Sequence, residues 1–515
     1  MFVPLGIGDF LDRAASVYGQ REALVDEPGV PGSWGRITYS ELQRRAWGMA
    51  RSLDAMGVGQ GERVAIVSPN AGRFLCSYWG VSAFGRILVP INYRLNAQEV
   101  KYIVGHSGST VVLVDPEFDA AMAGVEAKHR IVLDGVQDAG LWAPADEPPD
   151  GGPWLLDEND TASINYTSGT TARPKGVQLT HRNCWTNATT FGWHLQVSDR
   201  DVLMHTLPMF HCNGWGMPYA LTGMGGRHVV VRRIDGEEIL RRVGAEGVTL
   251  MCGAPAVVSA VLDAAGARRD RGEEVPGRGT VRIVVAGAPP PSKMIERVET
   301  ELGWEFNQIY GLTETSPLLT VNRSRAEWDD LGPEERSRLL ARAGTPAIGV
   351  RIHVDEDGEV CAAANEVFAG YWEQPEETAQ ALRDGWFHTG DGGFVDDAYL
   401  TISDRKKDVI ISGGENVSSI EVEDCLFAHP AVAEVAAIGV PDDRWGEMVK
   451  ALVVLRPGAE ASEAELIEFT KGRLAGYKCP KSVEFRDQLA RTATGKLQKF
   501  KLRQPFWEDT QRQVN

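Results

Sequence analysis

RVAIVSP (Arg63–Pro69), FLCSYWGVSAFG (Phe74–Gly85), RILVPIN (Arg86–Asn92), NAQEVKYIVGHSG (Asn96–Gly108) and STVVLVD (Ser109–Asp115) follow one another with little between them. The first, third and fifth are short runs of Val, Ile and Leu, which reads as strand. The second and fourth are longer and carry helical spacing, and Asn96 stands where a helix N-cap is wanted. Strand, helix, strand, helix, strand at this rhythm predicts βαβ units and a mostly parallel sheet.

The same alternation extends in both directions. From Ser40, the apolar positions Leu42, Ala46, Met49, Ala50, Leu53 and Met56 recur at helical spacing, and Gly57 closes the segment. ASINYTSGTTARPKGVQLTH (Ala162–His181) reads as a strand, a polar loop and a second strand. VRIVVAGAP followed by PSKMIERVETELG, within 281–303, is a further strand-to-helix unit. The Pro/Gly/Asp-rich stretch Ala143–Pro153 is a surface loop, too short for a linker between domains. The cluster DRKKD (Asp404–Asp408) lies between apolar segments, and beyond it about a fifth of the chain has a strand–helix alternation of its own. That portion suffices for a small α+β domain. The expected architecture is α/β: a large N-terminal body of αβ-layered subdomains (1–404), a hinge (405–407) and a smaller mobile α+β cap (408–515).

Composition bounds the function. With 515 residues, 43% hydrophobic and 24% charged, the chain is an ordinary globular protein. Its net charge of −18 argues against broad binding of nucleic acid or an anionic membrane. The seven cysteines are scattered without a CxxC pair, so neither a disulfide framework nor a zinc site is expected. The N-terminus lacks the pattern of a signal peptide, and no run of about 18 apolar residues occurs. A cytoplasmic location without a membrane span is the expectation.

The chemistry concentrates in YTSGTTARPKG (Tyr166–Gly176). Hydroxyls of Thr167, Ser168, Thr170 and Thr171, backbone N–H groups around Gly169 and the charge of Lys175 suit polyphosphate oxygens. A polar hairpin loop is the alternative on these residues alone. The pattern is not GxxxxGK[ST].

This loop resembles the YTSGTTGxPKGV signature of the adenylate-forming superfamily: acyl-CoA synthetases, nonribosomal peptide adenylation domains and firefly luciferase. Further motifs appear in the order of that family over nearly the whole chain: PMFHCNGWG (Pro208–Gly216), AGAPP (Ala286–Pro290), QIYGLTETSP (Gln308–Pro317), GYWEQPEETAQAL (Gly370–Leu382), GWFHTGD (Gly385–Asp391), DRKKDVIISGGENV (Asp404–Val417) and RTATGKLQK (Arg491–Lys499). The resemblance implies ATP, Mg²⁺ and coenzyme A as cofactors and the activation of a carboxylic acid as its acyl-adenylate. Adenylation joins two anions, which calls for cations and oriented dipoles.

Residue by residue, the resemblance makes Glu314 the Mg²⁺ carboxylate and Tyr310 the ring stacked on adenine. Gly287 and Ala288 line the same slot, and Gly311 and Thr313 complete the nucleotide set. Asp391 accepts the ribose hydroxyls, Arg405 contacts ribose or phosphate, and Lys496 is the adenylation lysine. Lys496, Glu314, His211 and Thr167 are the candidate catalytic residues. Lys407 is the hinge about which the cap turns between two chemistries. Gly413 and Gly414, with Glu415 and Lys478, form the passage for coenzyme A.

His211 stands where amino-acid-activating relatives carry an Asp, which argues against an amino acid substrate. No carrier domain follows Asn515, so a soluble thiol is expected. FHCNGWGMPYA and YGLTETSP look most like the medium- and long-chain fatty acyl-CoA synthetases, implying fatty acid or lipid metabolism. His211, Trp215, Met217, Gly223 and Thr315 are the expected acyl pocket, and an aryl or polycyclic acid stays open beside a fatty one. Two positions depart from the family pattern: Ala172 replaces Gly in SGTTG, and Ala363–Ala364 replace an Arg-Gly pair. They motivate an alternative, a thioesterification-only enzyme supplied with acyl-adenylate by a partner. A non-catalytic adenylate-binding protein is disfavoured by Lys496, Glu314 and Asp391. A homodimer is a further partner left open.

Overall fold

The computed structural model describes residues 1–149, 157–167, 174–405, 408–412, 415–442, 445–491 and 497–507; Asp404, Arg405, Glu415 and Asn416 enter through their backbone alone. Ser168, Gly169, Thr170, Thr171, Ala172, Lys407, Gly413, Gly414 and Lys496 lie outside the described residues.

The opening βαβ stretch folds as its spacing predicts. Strands Arg63–Val67, Ile87–Ile91, Ser109–Val114 and His129–Val132 run parallel in one sheet. Helices Gly72–Ser82 and Ala97–Ser107 make two of its crossovers. Asn96 caps the second helix: its side chain accepts from the Gln98 and Glu99 amides, and Glu99 returns a bond to the Asn96 N–H. Gly108, at φ +61°, ends that helix in the left-handed conformation that a glycine adopts without Cβ strain. Strand Thr161–Thr167 extends this sheet in parallel, and Lys175–Thr180 and Gly370–Tyr371 complete it antiparallel, giving seven strands.

A second sheet of nine strands places Glu305–Tyr310, Arg282–Val285, Leu250–Gly253, Val202–His205, Arg227–Val230 and Glu22–Val25 parallel and side by side. Its outer strands, including Thr320–Arg323 and Arg36–Thr38, are antiparallel. The principal apolar core draws on both sheets, with Trp79, Tyr39, Phe74 and Phe191 fully buried in it. Burial of aromatic side chains on this scale is a dominant source of core energy. The helix expected from Ser40 is Tyr39–Ala55, and Leu42, Ala46, Met49, Ala50 and Leu53 are its buried face.

Two smaller antiparallel-rich sheets follow. One joins Arg351–Val354, Glu359–Ala363, Trp386–Asp396, Leu382–Arg383 and Tyr399–Arg405. The other joins Glu415–Val417, Ile410–Ser412, Gly446–Leu455, Val432–Asp442 and Ser482–Phe485, with its own apolar core around Val422, Leu426, Val449 and Leu466. This is the smaller C-terminal α/β unit, and the fold class is as the sequence predicts. The unit touches the body where the Asp424 carboxylate accepts from the Ser292 amide at 2.8 Å and its hydroxyl at 3.1 Å. No helix among the described residues is long and apolar enough to cross a membrane.

Candidate active site

Several of the predicted residues that the structure describes lie at or just beyond strand ends. Thr167 closes strand Thr161–Thr167 and pairs in register with Lys175, so both ends of the hydroxyl-rich loop are fixed beside each other. Strands Arg282–Val285 and Glu305–Tyr310 are neighbours in register (Val285 opposite Gln308). Their C-terminal ends therefore deliver Gly287–Ala288 and Tyr310–Gly311 to the same edge, where open α/β sheets take their ligands. Gly287 has φ +94°, accessible to glycine without a Cβ penalty. At Gly311 a Cβ would stand 1.6 Å from the Pro317 carbonyl oxygen, so the turn into Thr313–Thr315 closes on a glycine only.

Glu314 sits in the short 3-10 turn Thr313–Thr315, which the buried Thr315 hydroxyl ties to the Leu312 and Pro317 carbonyls. The Tyr371 hydroxyl donates to Glu314 Oε1 at 2.9 Å, and the Phe368 amide donates to the Glu314 carbonyl at 2.8 Å. Burial, followed by the adjacent Glu314 charge, pushes the Tyr371 hydroxyl well above its ordinary pKa, so it remains a donor. Lys175 Nζ lies 4.8 Å from the Tyr371 ring centroid, a cation–π distance. Lys175, Tyr371 and Glu314 thus form one string from the hydroxyl-rich loop to the candidate metal carboxylate. The sequence reading did not single out Tyr371. Its motif, GYWEQPEETAQAL, is visible in the sequence, but its place beside Lys175 shows only in the antiparallel pairing of Gly370–Tyr371 with Val177–Gln178.

Tyr310 and Asp391 meet directly: the Tyr310 hydroxyl donates to Asp391 Oδ2 at 2.9 Å, and Asp391 is 7% exposed. Asp391 lies in strand Trp386–Asp396, where the Thr389 hydroxyl accepts from its amide at 3.1 Å. Arg405 is its backbone partner across the ladder, so the two candidate ribose residues share one register position.

The stretch leading to His211 is held by buried polar bonds. Asn70 Nδ2 donates to the His205 and Leu207 carbonyls while its Oδ1 accepts from the Met209 amide at 2.7 Å, and the Tyr78 hydroxyl donates to the Met209 carbonyl, also at 2.7 Å. After His211 the chain enters a left-handed turn in which Cys212, Asn213, Gly214, Trp215 and Gly216 have φ of 45°, 52°, 61°, 61° and 73°. Only two of the five are glycines, and each non-glycine position is strained. Buried polar bonds hold it: Asn213 Nδ2 donates to Ser163 Oγ at 2.8 Å, and Asn187 Nδ2 to the Trp215 carbonyl at 3.1 Å. Asn187 Oδ1 also accepts from the Leu318 amide, linking this turn to the segment after Glu314. Trp215, Met217 and Thr315 are buried, and Gly223 packs against the Phe10 ring.

In the C-terminal unit, Lys478 Nζ is paired with both carboxylate oxygens of Glu421 at 2.8 and 2.6 Å. Glu415 pairs through its backbone with Ser412.

One lysine, one tyrosine and one carboxylate thus lie in a string, and a second tyrosine–carboxylate pair is made by Tyr310, four residues before Glu314, and Asp391. Comparison with known proteins shows the family. Residues 11–372 match the AMP-binding enzyme family and residues 421–496 match the AMP-binding enzyme C-terminal domain. Probable acyl-activating enzyme 9 of Arabidopsis thaliana is 37% identical, over 97% of each chain. A 2-methylpropanoate–CoA ligase of Humulus lupulus is 36% identical, over 97% of this chain and 94% of its own. The crystal structure of the anthranilate CoA ligase AuaEII, in complex with anthranoyl-AMP, superposes with TM-score 0.87 at 25% identity over 98% of both chains. The chain belongs to the AMP-binding enzyme family, within the adenylate-forming superfamily.

Proposed function

We propose that this AMP-forming acid–CoA ligase activates a hydrophobic carboxylic acid as its acyl-adenylate and passes the acyl group to the thiol of coenzyme A. The observation that carries the reading is the string Lys175–Tyr371–Glu314 beside the Tyr310–Asp391 pair. It supplies the three functions adenylation needs: cation at the polyphosphate, carboxylate for a metal, and a slot for the nucleoside.

On this reading Thr167, Lys175 and the hydroxyls of 168–171 take the triphosphate, Tyr310 with Gly287, Ala288, Gly311 and Thr313 takes adenine, and Asp391 with Arg405 takes ribose. One carboxylate suits Mg²⁺, which prefers oxygen donors and fills its octahedron with phosphate oxygens and water. Glu314 would hold the ion, and the ion would offset charge on the phosphate oxygens. The Tyr371 hydroxyl orients Glu314 Oε1. Lys496 brings its charge to the α-phosphate and the acid's carboxylate. We assign 1–404 to the body, 405–407 to the hinge with Lys407 as pivot, and 408–515 to the cap. Gly413, Gly414, Glu415 and Lys478 line the coenzyme A passage once the cap turns. The acid lies among His211, Trp215, Met217, Gly223 and Thr315; the buried Trp215 and Met217 support an apolar acyl group. The enzyme works, on this reading, in the cytoplasm on diffusible partners.

A panel of short branched, medium-chain, long-chain and aryl acids, assayed for pyrophosphate release and for the CoA thioester by mass, tests this. Expected is ATP-dependent thioester with pyrophosphate for apolar acids and none for free amino acids. Thioester from a synthetic acyl-adenylate, with no pyrophosphate from any acid, would instead establish the thioesterification-only alternative.

A further inference from the structure

Two ion pairs of the C-terminal unit bracket the segment that carries Lys496. Arg491 and Leu497 form an antiparallel bridge, and the Gln498 amide donates to the Ala490 carbonyl at 2.8 Å, so the backbone is pinned on both sides of 492–496. On one side Arg491 donates through Nε and a terminal nitrogen to Glu434 Oε2, at 3.1 and 2.7 Å. On the other side Lys499 Nζ lies 2.9 Å from Glu423 Oε1 and donates to the Ser419 hydroxyl.

Both carboxylates stand on regular elements of that unit. Glu423 belongs to helix Ser419–Phe427, whose Val422 and Leu426 are fully buried in the unit's core. Its Oε1 also accepts from the Ala437 amide at 2.8 Å, which ties the carboxylate to strand Val432–Asp442. Glu434 lies on that same strand, opposite Val454. Helix Lys499–Trp507, which follows the segment, is docked there too: Trp507 Nε1 donates to the Gly439 carbonyl at 3.1 Å, and Leu502 is buried. The Lys499 and Glu423 side chains are 12% and 16% exposed, so removing one charge leaves the other poorly compensated. The residue after Glu423 is Asp424, which meets the body at Ser292. Adjacent residues of one helix therefore hold the body and the stem that follows Lys496.

We propose, on the reading of Lys496 as the adenylation lysine, that Glu423 and Glu434 are positioning residues for that half-reaction. Through Lys499 and Arg491 they fix both ends of the segment from which Lys496 is delivered to the α-phosphate. A cation offsets charge there only when it is in register with the reacting atoms, and a misplacement of about 1 Å can cost about 100-fold in rate. Helices and strands hold that tolerance better than loops do, and both anchors are on such elements. Attack of the thiol on the acyl-adenylate does not use Lys496 on this reading, so it is independent of either carboxylate.

The full-length protein is assayed for each half-reaction, well below its melting transition: single-turnover pyrophosphate release from acid plus ATP, and thioester from supplied acyl-adenylate plus coenzyme A. Glu423→Gln keeps an acceptor for the Ala437 amide and removes the charge facing Lys499. It should slow pyrophosphate release about 10-fold or more, with thioester formation within about twofold of wild type. Should Glu423→Gln fail to fold, Glu434, more exposed at 39%, carries the test. Glu434→Arg should slow pyrophosphate release about 10-fold, and adding Arg491→Glu should restore it to within about threefold. Glu468→Gln, which breaks an exposed pair with Lys471, should change neither half-reaction. Equal loss of both half-reactions overturns the proposal, as does wild-type pyrophosphate release in Glu423→Gln and Glu434→Arg while Lys496→Ala loses it. Wild-type pyrophosphate release in Lys496→Ala would instead overturn the reading of that lysine, and the positioning role with it.

Discussion

Replacing Tyr371 by Phe removes one oxygen and leaves the ring over Lys175. What is lost is the donor that orients Glu314 Oε1, at 2.9 Å. A hydrogen bond to a charged group contributes about 1.5–3 kcal/mol, so kcat/KM for ATP should fall roughly 10- to 100-fold at fixed Mg²⁺. The loss should shrink as Mg²⁺ is raised, because a mispositioned carboxylate still binds the ion at higher concentration. Steady-state kinetics over a Mg²⁺ series checks it, and a wild-type value would mean that Glu314 needs no such positioning. Tyr371 also shows where reading the chain stops. Its motif was visible, but only the antiparallel pairing of Gly370–Tyr371 with Val177–Gln178, far away in sequence, reveals that it joins Lys175 to Glu314. Tyr310 and Asp391 were each legible in their motifs; their mutual bond was not.

Among the elements, neighbouring strands Val202–His205 and Arg227–Val230 bury a histidine chain. His205 Nε2 lies 2.9 Å from His228 Nδ1, and His228 Nε2 lies 2.9 Å from the Thr222 hydroxyl. Burial lowers the His205 pKa to about 3, and burial with the neighbouring His205 holds His228 well below its ordinary value. Unfolded histidine titrates near 6.5, so the unfolded chain takes protons first as pH falls. The neutral pair's contribution is therefore complete above about pH 6.5 and is lost as pH falls from there toward 3, by up to about 1.4 kcal/mol per pH unit for each ring. Melting between pH 7.5 and 5 should show this slope, and His228→Gln should flatten it even though it lowers stability at pH 7.5. An equal slope in the variant would place the acid sensitivity elsewhere. The strand–helix order was legible because period and capping are local signals: Asn96 with Glu99 is an example. The left-handed turn Cys212–Gly216 was not, since Cys212, Asn213 and Trp215 have no local preference strong enough to impose it; Asn187 and Ser163, distant in sequence, do.

At the scale of the whole molecule, the proposed alternation requires the C-terminal unit to turn against the body, breaking contacts such as Ser292–Asp424. Lys407→Pro fixes φ near −65° at the proposed pivot. One half-reaction should then fall far more than the other, comparing pyrophosphate release from acid plus ATP with thioester formed from supplied acyl-adenylate. An unchanged ratio of the two rates in a folded protein would mean that the pivot is not Lys407. A large, mostly parallel α/β body and the small C-terminal unit were legible in the order of apolar runs; the division of the body into two large sheets was not, and the contact between body and C-terminal unit rests on Ser292 and Asp424, which no motif marks.

The central claim is that the acid is activated by bonding its own oxygen to the α-phosphorus of ATP. Reaction of a carboxylate labelled with ¹⁸O at both oxygens, in the presence of ATP and coenzyme A, tests it by mass spectrometry of the products. Attack of the carboxylate on phosphorus, followed by attack of the thiol on the acyl carbon, leaves one labelled oxygen in each AMP released, in equal amount to the thioester. Label in inorganic phosphate accompanied by ADP, or thioester formed with unlabelled AMP, would contradict the account.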